Sequence, residues 1–106
     1  PLHPALLRLI RDTAVAARAA GIPVSLCGEM AADALVAPVL LGLGITELSM
    51  SAVAIPEVKG VIRATTMADL QALVAQVLTL PTAQEIREAV IAYVTRLGVP
   101  VGTIGR

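Results

Sequence analysis

Two short runs of this sequence have the character of buried β-strands, and they limit the folds that the chain can adopt. Residues 22–27 (IPVSLC) are bounded by Gly21 and Gly28, and residues 47–51 (ELSMS) form the second run. A helical pattern precedes each run, so the predicted order is helix, strand, helix, strand, with parallel strands joined by a right-handed crossover. Parallel sheets normally contain more strands and are covered on both faces. The sequence therefore predicts an α/β fold that is a segment of a larger domain or is completed by other copies.

Helical spacing of apolar residues accounts for most of the remaining chain. The predicted helices cover residues 4–20, 33–41, 56–63, 66–78 and 82–98. Thr66 and Thr82 each precede an acidic residue by three positions, which is the spacing of a capping box at a helix start. Residues 99–106 (VPVGTIGR) show no period. We therefore predict one domain over residues 1–98 and a tail over residues 99–106.

The composition excludes several classes of protein. Apolar residues make up 57% of the 106 residues and charged residues 15%, against about 45–50% and about 25% in ordinary globular chains. Eight basic and eight acidic side chains give no net charge, so no basic stripe exists for nucleic acid. The longest uncharged run, residues 70–84, is shorter than the roughly 20 residues of a membrane span. With one cysteine and no possible intrachain disulfide, we expect a cytoplasmic chain without membrane insertion.

Cys27 is the residue with the clearest chemical potential. It ends the first predicted strand and is followed by Gly28. In a barrel of alternating strands and helices, the carboxyl ends of the strands face the active site. A thiol there can act as a nucleophile, a metal ligand or a proton donor. Spacing alone nevertheless favours the alternative, in which a lone cysteine of an apolar chain is a small buried hydrophobic residue.

Longer motifs resemble a known family. The segment Ser25–Ala31 (SLCGEMA) resembles the cysteine motif of the phosphoenolpyruvate-utilising enzymes. Residues 41–44 (LGLG), residues 47–51 (ELSMS) and the Ile-Pro pair followed by residues 59–63 are similar to enzyme I of the bacterial sugar phosphotransferase system, at that family's spacing. The opening LHPALLRLI also looks like the helix that precedes the motif there, and the resemblance covers residues 2–96.

The resemblance implies a fold and a reaction. The chain would be the C-terminal segment of a (β/α)8 TIM-type barrel, with its strands as the seventh and eighth. Enzyme I moves the phosphoryl group of phosphoenolpyruvate to a histidine in a separate domain and then to the carrier protein HPr, with Mg2+ as cofactor. The resemblance assigns protonation of the pyruvate enolate to Cys27, and we expect the adjacent Gly28 and Glu29 to be substrate-binding residues. It also implies a homodimer.

The same resemblance implies what this segment lacks. The metal ligands, the phosphate-binding arginines and the phosphorylated histidine of the family lie in segments outside this chain. We therefore expect no metal bound to this chain and no turnover by the segment alone, because phosphoryl transfer depends on positioning and charge neutralisation.

Individual residues leave alternatives open. Glu29 either orients the thiol or accepts hydrogen bonds from backbone amides of the next helix, and Gly28 is expected to act sterically. His3 is predicted to be a helix-entry residue, and Asp33 to begin the second helix. Alternation along the second strand turns one of Ser49 and Met50 inward and the other outward, so either can line the barrel interior, but core packing is expected.

Other functions remain open at this stage. Pyruvate phosphate dikinase and phosphoenolpyruvate synthase contain a similar Cys-Gly-Glu context, and a fusion of enzyme I with other transport domains has the same C-terminal pattern. A different class of function is a non-catalytic association module. A phosphohistidine domain and an acidic metal pair upstream would distinguish the enzymes from such a module.

Overall fold

The computed structural model describes residues 2–99 of the chain. In this range the elements are α1 (Pro4–Ala20), β1 (Ser25–Cys27), α2 (Glu29–Ala32), α3 (Ala37–Leu43), β2 (Glu47–Ser49), a 3₁₀ turn (Ala52–Ala54), α4 (Ile55–Arg63), α5 (Met67–Val77) and α6 (Ala83–Leu97). The predicted α/β alternation is confirmed, as is the helical second half. Of the predicted tail, residues 100–106 lie outside the described residues.

Local sequence features define the first helix. Pro4 lies in the first turn of α1, where its missing N–H costs nothing, and Nδ1 of His3 accepts a hydrogen bond from the Ala5 N–H at 3.1 Å. Gly21 ends the helix in the left-handed conformation, at φ 71°. His3 is therefore the helix-entry residue that the sequence predicts.

The helix predicted over residues 33–41 has other boundaries in the structure. A single turn of helix, α2, comes first, and α3 begins only at Ala37. Pro38 explains the difference, because proline lacks the N–H needed inside a helix and fits only its first turn. Asp33 follows α2 instead of beginning α3, and its Oδ1 accepts a hydrogen bond from the Leu35 N–H at 2.9 Å. The prediction that Asp33 begins a helix was wrong.

The sheet consists of two parallel strands. The register aligns Ser25 with Glu47, Leu26 with Leu48, and Cys27 with Ser49. Both strands are shorter than predicted. Pro23 has no N–H to donate to a ladder, so β1 begins after it. Beyond Ser49 the chain turns into the 3₁₀ segment instead of continuing the strand.

The two faces of the sheet differ sharply. Leu26 and Leu48 are half-buried and pack against the apolar core. The opposite face is exposed and polar, and it carries Ser25, Cys27, Glu47 and Ser49. This exposed set of four residues is called the polar sheet face below. The helices thus cover one side of the sheet and leave the other open.

A central helix organises the core. Residues 37–40 of α3 are all buried, and α3 contacts α1, α4 and α5. The contact with α5 is very close: a Cβ placed on Gly42 would lie 2.5 Å from Cγ2 of Val74 and 2.7 Å from the carbonyl oxygen of Leu70. No polar or charged side chain is buried in residues 2–99. Glycine at position 42 therefore permits the main helix contact of the fold.

The last two helices begin as their capping boxes predict. Oγ1 of Thr66 accepts a hydrogen bond from the Asp69 N–H, and Oγ1 of Thr82 accepts one from the Glu85 N–H, both at 3.2 Å. None of the helices in residues 2–99 is both long enough and apolar enough to cross a membrane.

Candidate functional site

Cys27 is an exposed free cysteine at the carboxyl end of β1. The period-two alternation of β1 turns Leu26 toward the helices and therefore turns Cys27 to the polar sheet face. The interpretation of Cys27 as a small buried hydrophobic residue is therefore wrong in this structure. The thiol is accessible to a reactant that approaches the open side of the sheet.

Gly28 allows the chain to leave the strand without covering the thiol. Its backbone has φ 95° and ψ −159°, a region that only glycine adopts readily. A Cβ at this position would meet no heavy atom within 4 Å among the described residues. Glycine is therefore favoured at position 28 by its backbone conformation, because no described residue crowds the space that a side chain would occupy.

Glu29 begins the short helix α2 directly after the glycine turn. Its side chain is exposed. Within residues 2–99, the carboxylate caps no backbone amide at the start of α2. Neither of the two roles considered for Glu29 is supported by a hydrogen bond of this side chain in the described residues. The structure places Glu29 one residue beyond Gly28, at the same end of the sheet as the thiol.

Ser49 lies beside Cys27 on the polar sheet face. It was expected to pack in the core, but it is exposed and aligned directly with Cys27 across the parallel pair. Directly aligned residues on neighbouring strands share a face of the sheet, so the hydroxyl and the thiol lie side by side. Alternation along β2 predicts which residues share a face with Ser49. The alignment of Ser49 with Cys27 could not be predicted, because it depends on the register between the two strands.

A groove runs beside β2, with a volume of about 490 Å³. It is mainly apolar and is lined by Leu41, Leu48, Met50, Ile55, Val58 and Ile62, with Thr46, Ser49 and Lys59 as its polar members. A second groove, of about 600 Å³, shares Leu41 and Thr46 with the first and includes Arg18 and Gln71. Cys27 lines neither groove. The part of the chain that the structure describes therefore provides one wall around the thiol and no enclosed pocket.

The described residues do not provide a metal site. No group of three or more His, Cys, Asp or Glu side chains in residues 2–99 is arranged to hold a metal ion. The acidic ligands that the resemblance implies for Mg2+ lie in segments outside this chain, so no described residue is assigned to a magnesium ion.

Comparison with known proteins identifies the family. The family model described as PEP-utilising enzyme, PEP-binding domain, where PEP is phosphoenolpyruvate, matches residues 1–67. The chain belongs to this family. The match includes both strands and the segment with Cys27, Gly28 and Glu29. In this family, then, the exposed thiol and the polar sheet face belong to a PEP-binding domain.

Individual relatives agree with the family match. The phosphoenolpyruvate-protein phosphotransferase of Buchnera aphidicola is 37% identical over 94 residues, which is 89% of this chain and 16% of the relative. That of Haloferax volcanii is 45% identical over 86 residues, 81% of this chain and 15% of the relative. The multiphosphoryl transfer protein of Rhodobacter capsulatus is 46% identical over 86 residues, 81% of this chain and 10% of the relative. The chain spans about a sixth of the length of the first of these relatives.

Proposed function

We propose that this chain is the C-terminal part of the PEP-binding barrel of a phosphoenolpyruvate–protein phosphotransferase. The parent enzyme transfers the phosphoryl group of PEP to one of its own histidines, in another domain, and then to HPr. One observation carries the proposal: a free, exposed thiol ends a parallel strand inside the segment that matches the PEP-binding family. Two of the three relatives named above are phosphoenolpyruvate-protein phosphotransferases, which favours this activity over that of a dikinase or a synthase.

The proposed role of Cys27 is to protonate the product carbon. When the phosphoryl group leaves PEP, the enolate of pyruvate remains. The Cys27 S–H bond breaks as a C–H bond forms at the methylene carbon of the enolate, which gives the methyl group of pyruvate. The resulting thiolate regains its proton from solvent before the next turnover. An ordinary cysteine thiol is protonated at neutral pH, as a proton donor must be.

The difference between the two faces of the sheet supports the proposed barrel. Helices pack against the face with Leu26 and Leu48, as they do on the outside of a (β/α)8 barrel. The polar sheet face would then be directed to the barrel interior, and the carboxyl ends of both strands to the active-site end. The strands would be the seventh and eighth of the barrel, and other strands of the parent enzyme would pair with their free edges.

Gly28 and Glu29 are proposed to contact the substrate region. The missing side chain of Gly28 leaves the end of β1 open next to the thiol, so a flat enolate can approach the sulfur. Glu29 places a carboxylate at the same end of the sheet, where it can orient the thiol or a bound water. Neither residue is assigned a proton transfer of its own.

The proposal is tested with the parent enzyme, purified with HPr, Mg2+ and PEP. We expect pyruvate release and phosphorylation of HPr in equal amounts by the parent enzyme. We expect neither from the 106-residue chain alone, since the described residues contain no enclosed site. Pyruvate release by a repurified sample of the chain, clearly above a protein-free blank, would contradict the proposal that the active site also needs residues from other parts of the parent enzyme. A parent enzyme that releases pyruvate without phosphorylating HPr would contradict the proposed acceptor.

A further inference from the structure

Glu47 is the one charged side chain on the polar sheet face. It is exposed, is aligned with Ser25 of β1, and precedes Ser49 by two positions on β2. It therefore lies on the same face as Cys27 but nearer the amino ends of the strands, about 7 Å further from the active-site end at the usual rise of a strand. Within residues 2–99 it forms no ion pair.

No cation of the described residues forms an ion pair with Glu47. All of them belong to helices or to the entry of α1: His3, Arg8, Arg11, Arg18, Lys59, Arg63, Arg87 and Arg96. The strands and the polar sheet face carry no basic side chain. A cation that meets this carboxylate on the polar sheet face would therefore come from elsewhere in the parent polypeptide.

A carboxylate inside a barrel requires such a partner. An ionised group that is removed from water without a counter-charge is strongly destabilising, so buried charges in proteins are paired. In the proposed barrel, the polar sheet face lies in the interior, and Glu47 is enclosed by strands that this chain lacks. The other members of that face are neutral, so the charge that must be balanced is a single negative one.

We propose that Glu47 forms an interior ion pair with a lysine or arginine side chain on another strand of the same barrel. This inference rests on the proposed function, because it requires that the rest of a barrel covers the polar sheet face. The amino ends of the strands lie away from the chemistry of a (β/α)8 barrel, and residues there act in stability. The pair therefore stabilises the closed barrel and does not take part in the transfer of the phosphoryl group or the proton.

The test compares Glu47→Gln with Glu88→Gln in the parent enzyme. Glu88 is an exposed acid on α6 that accepts a hydrogen bond from Gln84, so neutralising it removes one exposed charge and should change Tm little. We expect Glu47→Gln to lower Tm by on the order of 5–10 °C relative to Glu88→Gln. Glu47→Lys should lower Tm further, because it places a second cation beside the first. The KM for PEP should stay near the wild-type value in any Glu47 variant that folds.

The sign of the change in Tm decides the inference. If Glu47 is enclosed without a cation, Glu47→Gln removes an unpaired buried charge and raises Tm. If Glu47 remains in water, both glutamine variants melt together. Either result overturns the inference, as does a normal Tm combined with lost turnover, which would place Glu47 in the active site. PEP-dependent phosphorylation of HPr by the wild-type parent enzyme is measured separately. This measurement tests the proposed activity, and the Tm values test the Glu47 ion pair.

Discussion

Gly28 adopts a backbone conformation that directs the chain away from the exposed thiol of Cys27. At φ 95° and ψ −159°, any residue with a Cβ is strained by about 1–3 kcal/mol. The neighbouring space is open within the described residues, so the strain is conformational and not a clash. The glycine therefore matters because it fixes the direction in which the chain leaves Cys27.

We predict that Gly28→Ala lowers the free energy of unfolding by about 1–3 kcal/mol. The measurement is urea unfolding at one fixed protein concentration. Gly21→Ala is the matched control, since Gly21 is left-handed at φ 71° and ψ 26°, where alanine costs about 1–2 kcal/mol. An unfolding midpoint for Gly28→Ala equal to that of the unmodified chain would show that the turn adopts another conformation.

The candidate site was only partly predictable from its residues. Cys27, Gly28 and Glu29 follow from a short motif, because the motif is contiguous in sequence. The exposure of the thiol did not follow, since it depends on which face of the sheet the helices cover. The proximity of Ser49 to Cys27 did not follow either, because it depends on a strand register that no single segment encodes.

At the scale of elements, helices with strong end signals were predicted most accurately. The first helix was predicted at the bounds observed, and the last two began at their threonine caps. The region from Glu29 to Leu43 was predicted poorly, because the helix predicted over residues 33–41 took no account of Pro38. In the structure, proline determines where α3 begins, and the side chain of Asp33 stabilises the preceding turn.

The contact between α3 and α5 gives a prediction at this scale. Gly42→Ala should lower the free energy of unfolding by about 1–3 kcal/mol, because the added methyl group overlaps Val74 and the Leu70 carbonyl oxygen. Gly60→Ala in α4 is the control. Its new Cβ would lie 3.5 Å from Cγ1 of Val99, an ordinary contact, and alanine is favoured over glycine in a helix by about 1 kcal/mol.

Urea unfolding of the two variants side by side tests this contact. We expect Gly42→Ala to unfold at a lower urea concentration than the unmodified chain, and Gly60→Ala at the same or a higher one. Equal stability of the two variants would mean that α3 and α5 are further apart than the structure shows.

At the scale of the whole molecule, the chain leaves much apolar and hydrogen-bonding surface open. Each strand has one unpaired edge in the described residues. Several large apolar side chains are exposed, of which Val53 is the most exposed at 92%. Open strand edges and apolar patches seldom remain exposed on a soluble monomer.

We therefore predict that the isolated chain self-associates, most simply as a twofold dimer. Sedimentation velocity over a range of protein concentrations measures the mass of the particle. The expected result is a species at least twice the 10.9 kDa of the chain. A folded monomer that persists at the highest concentration would show that the helices are sufficient to complete the two strands.

The central claim is that this segment contributes the proton donor of a PEP-dependent phosphotransferase. The decisive measurement is pyruvate formation by the parent enzyme with Cys27→Ala, beside the binding of PEP to the same variant. Ser25→Ala is the matched control, because it removes a small polar group from the same strand and face without removing the thiol. We predict a loss of pyruvate formation of about 10²–10⁴-fold for Cys27→Ala, with PEP affinity near the wild-type value. Wild-type turnover in Cys27→Ala, or an equal loss in Ser25→Ala, would contradict the role assigned to the thiol.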